Sequence, residues 1–85
     1  MKKVTMFYLQ NCPHCKKASQ IIEDLKSNNP KYDNIIIDKI EESQNVQVCA
    51  EYDYYYVPTF YVDNVKIHEG VPNEEKIESV LKAAL

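Results

Sequence analysis

The chain has 85 residues, of which 45% are hydrophobic: enough to close one small core, too few for two, and too apolar for a disordered segment. Ten lysines, no arginine and 13 acids leave a net charge of −3 with no basic cluster, which excludes a phosphate backbone as an obvious partner. No apolar run approaches the roughly 18 residues needed to cross a bilayer, so no membrane association is expected. Met1-Lys2-Lys3-Val4 leads at once into a short apolar stretch, shorter than the roughly 15 to 30 residues of a secretory leader, and the expected compartment is the cytosol. Three cysteines are an odd number, and in a reducing compartment a stapled disulfide framework is not expected. Their spacing matters more than their number.

Val4 to Leu9 reads as a short buried strand, β-branched and aromatic, ending at Gln10-Asn11-Cys12-Pro13. A helix follows, with Ala18, Ile21, Ile22 and Leu25 on one stripe and Pro13 in its first turn, where a missing N–H costs nothing. It runs out at Ser27-Asn28-Asn29-Pro30. Asn34 to Asp38, with three consecutive isoleucines, reads as a second strand covered on both faces. Glu42 to Tyr52 reads as a second helix burying Val46, Cys49 and Ala50. Thr59 to Val62 and Val65 to Glu69 form two extended runs joined by Asp63-Asn64, residues that tolerate the positive φ of a tight hairpin turn. Gly70-Val71-Pro72 breaks the run. Asn73 then caps a last helix, with Glu74 and Glu75 at its positive end and Ile77, Val80, Leu81 and Ala84 on its apolar face. One α/β domain spanning residues 1–85 is expected.

The chemistry concentrates at Cys12-Pro13-His14-Cys15. Cysteines three apart at the start of a helix can close a small disulfide, and the first of them points away from the helix body. Unpaired backbone N–H groups and the positive helix end favour a thiolate on Cys12. Cys12 would attack a substrate disulfide, and Cys15, one turn on and more buried, would resolve the mixed disulfide. His14, Lys16 and Lys17 add positive or hydrogen-bonding character, with His14 read as an exposed tuning residue rather than an acid or base. Two structural cysteines, or half of a zinc site, are the alternatives. Zinc takes about four ligands, and the remaining candidates, Cys49, His14 and His68, form no second closely spaced pair, so no metal ligands are assigned. Cys49 reads as a buried small hydrophobe, and Tyr52 and Tyr54 to Tyr56 as packing residues, one or two of which line a substrate groove.

Taken together, Cys12-Pro13-His14-Cys15 after a strand, Val57-Pro58-Thr59-Phe60 before a hairpin, and Gly70 before a terminal helix resemble the thioredoxin-fold superfamily, at the size of a glutaredoxin. The resemblance covers nearly the whole chain. It implies an α/β fold of order β-α-β-α-β-β-α, with a four-stranded mixed sheet flanked by three helices. It also implies a cis Pro58 beside the cysteine pair, leaving the Val57 backbone free to pair with an extended peptide or glutathione, and a substrate site that draws on Pro13, His14, Lys16, Thr59 and Gly70.

Departures from the relatives matter. Thioredoxins usually carry a tryptophan directly before the first cysteine and a buried acid six residues before it, where this chain has Asn11 and Met6. Glutaredoxins carry Thr-Val-Pro and a Gly-Gly followed by an acid, where this chain reads Tyr56-Val57-Pro58 and Glu69-Gly70-Val71. The Pro-His dipeptide is similar to that of periplasmic disulfide oxidants, which are exported and longer. The resemblance implies a monomeric thiol-disulfide oxidoreductase acting on protein disulfides or glutathione mixed disulfides. Its only redox group is its own disulfide, and a reductase or glutathione is the electron donor. The competing class is a non-catalytic binding module whose cysteine pair holds a metal or docks a partner.

Overall fold

A computed structural model describes residues 1–85. The elements are β1 (Val4–Tyr8), α1 (Pro13–Asn28), β2 (Ile37–Glu41), α2 (Val46–Cys49), β3 (Thr59–Val62), β4 (Val65–Glu69) and α3 (Glu74–Ala84), with 3-10 turns at Pro30–Tyr32 and Glu42–Gln44. The strands form one sheet in the order β2-β1-β3-β4. β1 runs parallel to β2 and antiparallel to β3, and β3 pairs antiparallel with β4, so the sheet is mixed, as the resemblance implies.

Side chains alternate across the two central strands and build a core on each face of the sheet. Val4 and Met6 of β1 and Phe60 and Val62 of β3 join Ala18, Ile22 and Leu25 of α1 and Ile77, Val80, Leu81 and Ala84 of α3 in the larger core. Ile77 and Leu81 are completely buried, each worth about 1.5–3 kcal/mol of transfer free energy. Phe7, Tyr61 and Cys49 make a smaller core on the opposite face. There Tyr52 and Tyr54 pack on Phe7 with ring centroids 4.7 and 5.0 Å away.

The hairpin and the last helix form as the sequence predicts. Asp63 takes a positive φ of 53° at the turn, and its carboxylate accepts the Lys3 N–H at 3.1 Å, tying the turn to the approach to β1. Asn73 caps α3 by accepting the Lys76 N–H at 2.8 Å. Gly70 has φ of 94°, and a Cβ there would meet nothing within 4 Å. Backbone conformation, not crowding, calls for glycine at this position.

Three expectations are corrected. The second strand is not Asn34–Asp38 buried on both faces but Ile37–Glu41 at the edge of the sheet. Of the three isoleucines only Ile35 is fully buried, in the approach to the strand, while Ile36 is 82% exposed. Asp38, Lys39 and Glu41 supply the charges that suit an edge. The second helix does not run from Glu42 to Tyr52. A 3-10 turn gives way at Asn45, whose φ of −139° and ψ of 44° lie outside the helical region, and one helical turn, Val46–Cys49, follows. Local polar bonds compete with the helix here: Glu41 Oε1 accepts the Ser43 N–H at 2.6 Å, and Asn45 Nδ2 donates to the Glu41 carbonyl at 2.9 Å. Cys49 is buried as expected, but Val46 and Ala50 are exposed. β1 also stops one residue early, at Tyr8, because the Leu9 carbonyl accepts the Cys12 N–H at 3.2 Å and turns the chain into α1.

Candidate active site

Cys12 is the N-cap of α1, in extended backbone with φ of −95° and ψ of 113°, and Pro13 occupies the first turn. This is why the motif reads cysteine then proline. The cap residue leaves the helix, its side chain turns back on the free N–H groups, and proline continues without an orphan donor. Here the capping atom is sulfur: Cys12 Sγ accepts the Cys15 N–H at 3.2 Å. Cys12 is half-buried, Cys15 is buried, and both are free thiols. Pro13, His14 and Lys16 are all exposed around them.

The two sulfurs sit in unlike surroundings. Burial pushes the Cys15 thiol up to about 12. Its hydrogen bonding with Cys12 and the charges of Cys12 and Glu42 act in the same direction, and its backbone contact with Leu9 opposes them. Met6, at the place where an acid is usual, is itself in the core, and the buried polar residues are Thr5, Thr59 and His68. No carboxylate is buried beneath Cys15.

The second half of the site comes from a distant stretch of chain. The Val57–Pro58 peptide bond is cis. The Val57 carbonyl lies 4.0 Å from Cys12 Sγ across 45 residues of sequence, and the Val57 N–H makes no backbone hydrogen bond. Pro58 is buried, its carbonyl accepts the Gly70 N–H at 2.9 Å, and the Thr59 hydroxyl donates to the Tyr56 carbonyl. A largely apolar groove of about 370 Å³ runs beside the dithiol, lined by His14, Tyr56, Val57, Gly70 and Val71. The structure therefore brings Cys12, Cys15, His14, Val57, Pro58 and Gly70 to one edge. Lys16 stands apart from the groove, over a separate cleft beside Cys15 and Glu23. Thr59 is buried and braces the loop from within.

The tyrosine run divides. Tyr52 and Tyr54 pack as expected, but Tyr55 and Tyr56 are 85% and 70% exposed. Two acids beside the site were not singled out from the sequence as site residues. Glu41 shares a small cavity with Cys12, and its carboxyl is held below the usual range, first by Ser43 hydrogen bonding. Glu69 holds the loop before Pro58. The signal for Glu69 was its place between a strand end and the only glycine, but which groups its carboxylate reaches depends on tertiary geometry.

A dithiol at the head of the first helix, facing a cis-proline loop at the end of a mixed sheet, is the arrangement around which the thioredoxin fold is organised. The family model described as "Thioredoxin domain" matches residues 2–82, and the chain belongs to that family. It is similar to a thioredoxin of Methanocaldococcus jannaschii, 28% identical over 83 residues that cover 98% of this chain and 95% of the relative. Among solved structures, the thioredoxin of Malassezia sympodialis superposes with a TM-score of 0.73 at 23% identity, covering 98% of this chain and 74% of that one. Oxidised thioredoxin from Plasmodium falciparum superposes with a TM-score of 0.71 at 16% identity, covering 96% and 79%. The family's chemistry is thiol-disulfide exchange with disulfide substrates and a reductase, and these relatives carry the name thioredoxin rather than glutaredoxin.

Proposed function

We propose that the chain is a cytosolic dithiol-disulfide oxidoreductase, acting as a single monomeric domain on protein disulfides, with Cys12 attacking and Cys15 resolving. The observation that carries this reading is the unequal placement of the sulfurs. Cys12 Sγ caps the helix, accessible and 4.0 Å from the Val57 carbonyl, while Cys15 is buried with its thiol near 12.

In the reductive direction the Cys12 thiolate attacks one sulfur of the substrate disulfide, and a Cys12–substrate disulfide forms as the substrate S–S bond breaks. The departing thiolate takes a proton from solvent. Cys15 loses its proton to solvent and attacks Cys12 Sγ, expelling the second substrate thiol. The substrate gains two electrons and the dithiol becomes a disulfide. A reductase then returns two electrons, and solvent two protons. His14 and Gly70 wall the groove, and Val57 offers its free N–H and its carbonyl to an extended substrate.

For regeneration a protein reductase is the better donor than glutathione. Tyr56 and the lone Gly70 replace family contacts to glutathione, and no arginine is present to hold its carboxylates bidentately. Lys16 stands over a separate cleft rather than in the groove, so glutathione is at best a weak co-substrate. Two measurements test the proposal. Cys15→Ser accumulates a mixed disulfide with substrate while Cys12→Ser is inert, and the reverse pattern sinks the assignment. In NADPH-coupled turnover, thioredoxin reductase supports faster cycling than glutathione with its own reductase, and efficient saturable turnover by glutathione alone overturns the choice of donor. Absence of all turnover would return the chain to the binding-module class.

A further inference from the structure

We propose that Glu69 is a positioning residue that sets the substrate groove by tying its two walls together, an inference that rests on the oxidoreductase reading above. One wall is the segment leading into Pro58, carrying Tyr56 and Val57; the other is Gly70 and Val71, directly after Glu69 at the end of β4. The Glu69 backbone therefore belongs to the second wall while its carboxylate reaches the first. Oε2 accepts the N–H groups of both Tyr55 and Tyr56, the latter at 2.9 Å. Oε1 accepts from Lys66 Nζ at 2.8 Å, and Lys66 also donates to the Asp53 carbonyl at 3.2 Å.

Packing anchors the ends of this segment, with Tyr54 on Phe7 and with Val57 and Pro58 against the cores, but does not place its middle. The Gly70 N–H on the Pro58 carbonyl at 2.9 Å also joins the two walls. Tyr55 and Tyr56 have their rings in solvent, so burial fixes neither, and between the packed ends the loop is held by polar bonds: the carboxylate, Lys66, the Tyr61 hydroxyl on the Asp53 carbonyl at 2.8 Å, and the Thr59 hydroxyl on the Tyr56 carbonyl. Bonds to an ionised group are the strongest of these. The Glu69 carboxyl lies at about 2, lowered first by Lys66 and then by the two amides, so the tie stays charged at any physiological pH. Since Val57 follows the two clamped amides, the tie also governs where its backbone meets a substrate lying beside Cys12. The occupant that needs this geometry is an extended peptide with an apolar side chain beside the attacked cysteine. A small disulfide that reaches only Cys12 does not need it.

The test is acid-quenched single-turnover oxidation of the reduced protein by two probes: a peptide disulfide with phenylalanine beside one cysteine, and 2-hydroxyethyl disulfide. In Glu69→Gln the half-saturating peptide concentration rises about tenfold while the limiting rate changes less than twofold. Efficiency with 2-hydroxyethyl disulfide then falls far less than efficiency with the peptide. Lys66→Gln, which keeps the carboxylate and its amides, moves the peptide value in the same direction by about threefold and serves if Glu69→Gln fails to fold. Equal losses on both probes, or an unchanged peptide half-saturation in either folded variant, overturn the positioning role. A wild-type protein that oxidises with neither probe refutes the oxidoreductase reading itself, and this inference with it.

Discussion

Native-state alkylation gives the sharpest reading of the dithiol. With the Cys15 thiol at about 12 against an ordinary cysteine value of 9.0, its thiolate fraction at pH 8 is lower by about three powers of ten than that of an unhindered thiol. The thiolate is the nucleophile, so reaction with iodoacetamide slows by about the same factor before burial reduces access further. Cys49 is also shielded, only 7% exposed. Reduced protein treated with iodoacetamide at pH 8, then denatured and treated with N-ethylmaleimide before peptide mapping, should carry the first label on Cys12 and the second on Cys15 and Cys49. Cys12→Ser provides a sign test. It replaces a sulfur that can carry charge with a neutral hydroxyl, so the charge through which Cys12 raises its neighbour is lost and the hydrogen bond is weakened, but burial, the largest cause, stays, so Cys15 should label faster than in the wild type yet slower than a free cysteine. Labelling of wild-type Cys15 within tenfold of the Cys12 rate would refute the reasoning.

Two further outcomes follow from groups around the groove. His68 is buried, and its Nε2–H donates to the Gly70 carbonyl at 3.0 Å; burial lowers its affinity for a proton below the usual 6.5. The unfolded chain thus takes up a proton at higher pH than the native one, and the stabilisation is complete above 6.5 and lost as pH falls through the lower native value. The thermal stability of the wild type should fall from pH 7 to pH 5, and His68→Gln, which keeps a donor but does not titrate, should remove that part of the slope; an unchanged slope counts against it. His14 is exposed on the groove, and the proposal that its imidazole favours the reduced form gives a second outcome. Equilibration with glutathione should place the couple above thioredoxin's ~−270 mV, with His14→Gly moving it to a more reducing value; no shift would remove His14 from the tuning role.

What the sequence made legible divides by range. The head of α1 was readable because its determinants are contiguous: Cys12, Pro13 and Cys15 define the cap, the first turn and the buried return within four positions. The hairpin and α3 were readable for the same reason, with Asp63 at the turn and Asn73 at the cap. β2 was misplaced because Ile35-Ile36-Ile37 looks like a buried run whether the strand is central or at an edge, and only pairing with β1 decides. The region after it was misread as a full helix because apolar residues at suitable spacing cannot reveal that Glu41 and Asn45 bond locally against it. The proline loop was legible through its resemblance to known proteins, not through its composition. Its clamp was not, since Glu69 acts on amides 13 and 14 residues away through a fold that its own segment does not specify.

On the proposed mechanism, the order of chemical steps follows from this division of the site. Without a buried carboxylate near Met6, little in the reduced protein helps Cys15 lose its proton, and the neighbouring Cys12 thiol works against it. Once Cys12 is bonded to a substrate sulfur, it no longer carries charge and no longer competes as a partner, so two of the causes that hold the Cys15 thiol high disappear together. The resolving thiol therefore gains reactivity when there is a mixed disulfide to resolve. Backbone geometry contributes to the same sequence, because the Cys15 N–H that points at Cys12 Sγ from 3.2 Å stabilises negative charge on that sulfur both before attack and when it leaves in the reverse direction. On this proposal, the ordering that a buried acid would otherwise support comes from the coupling between the two cysteines.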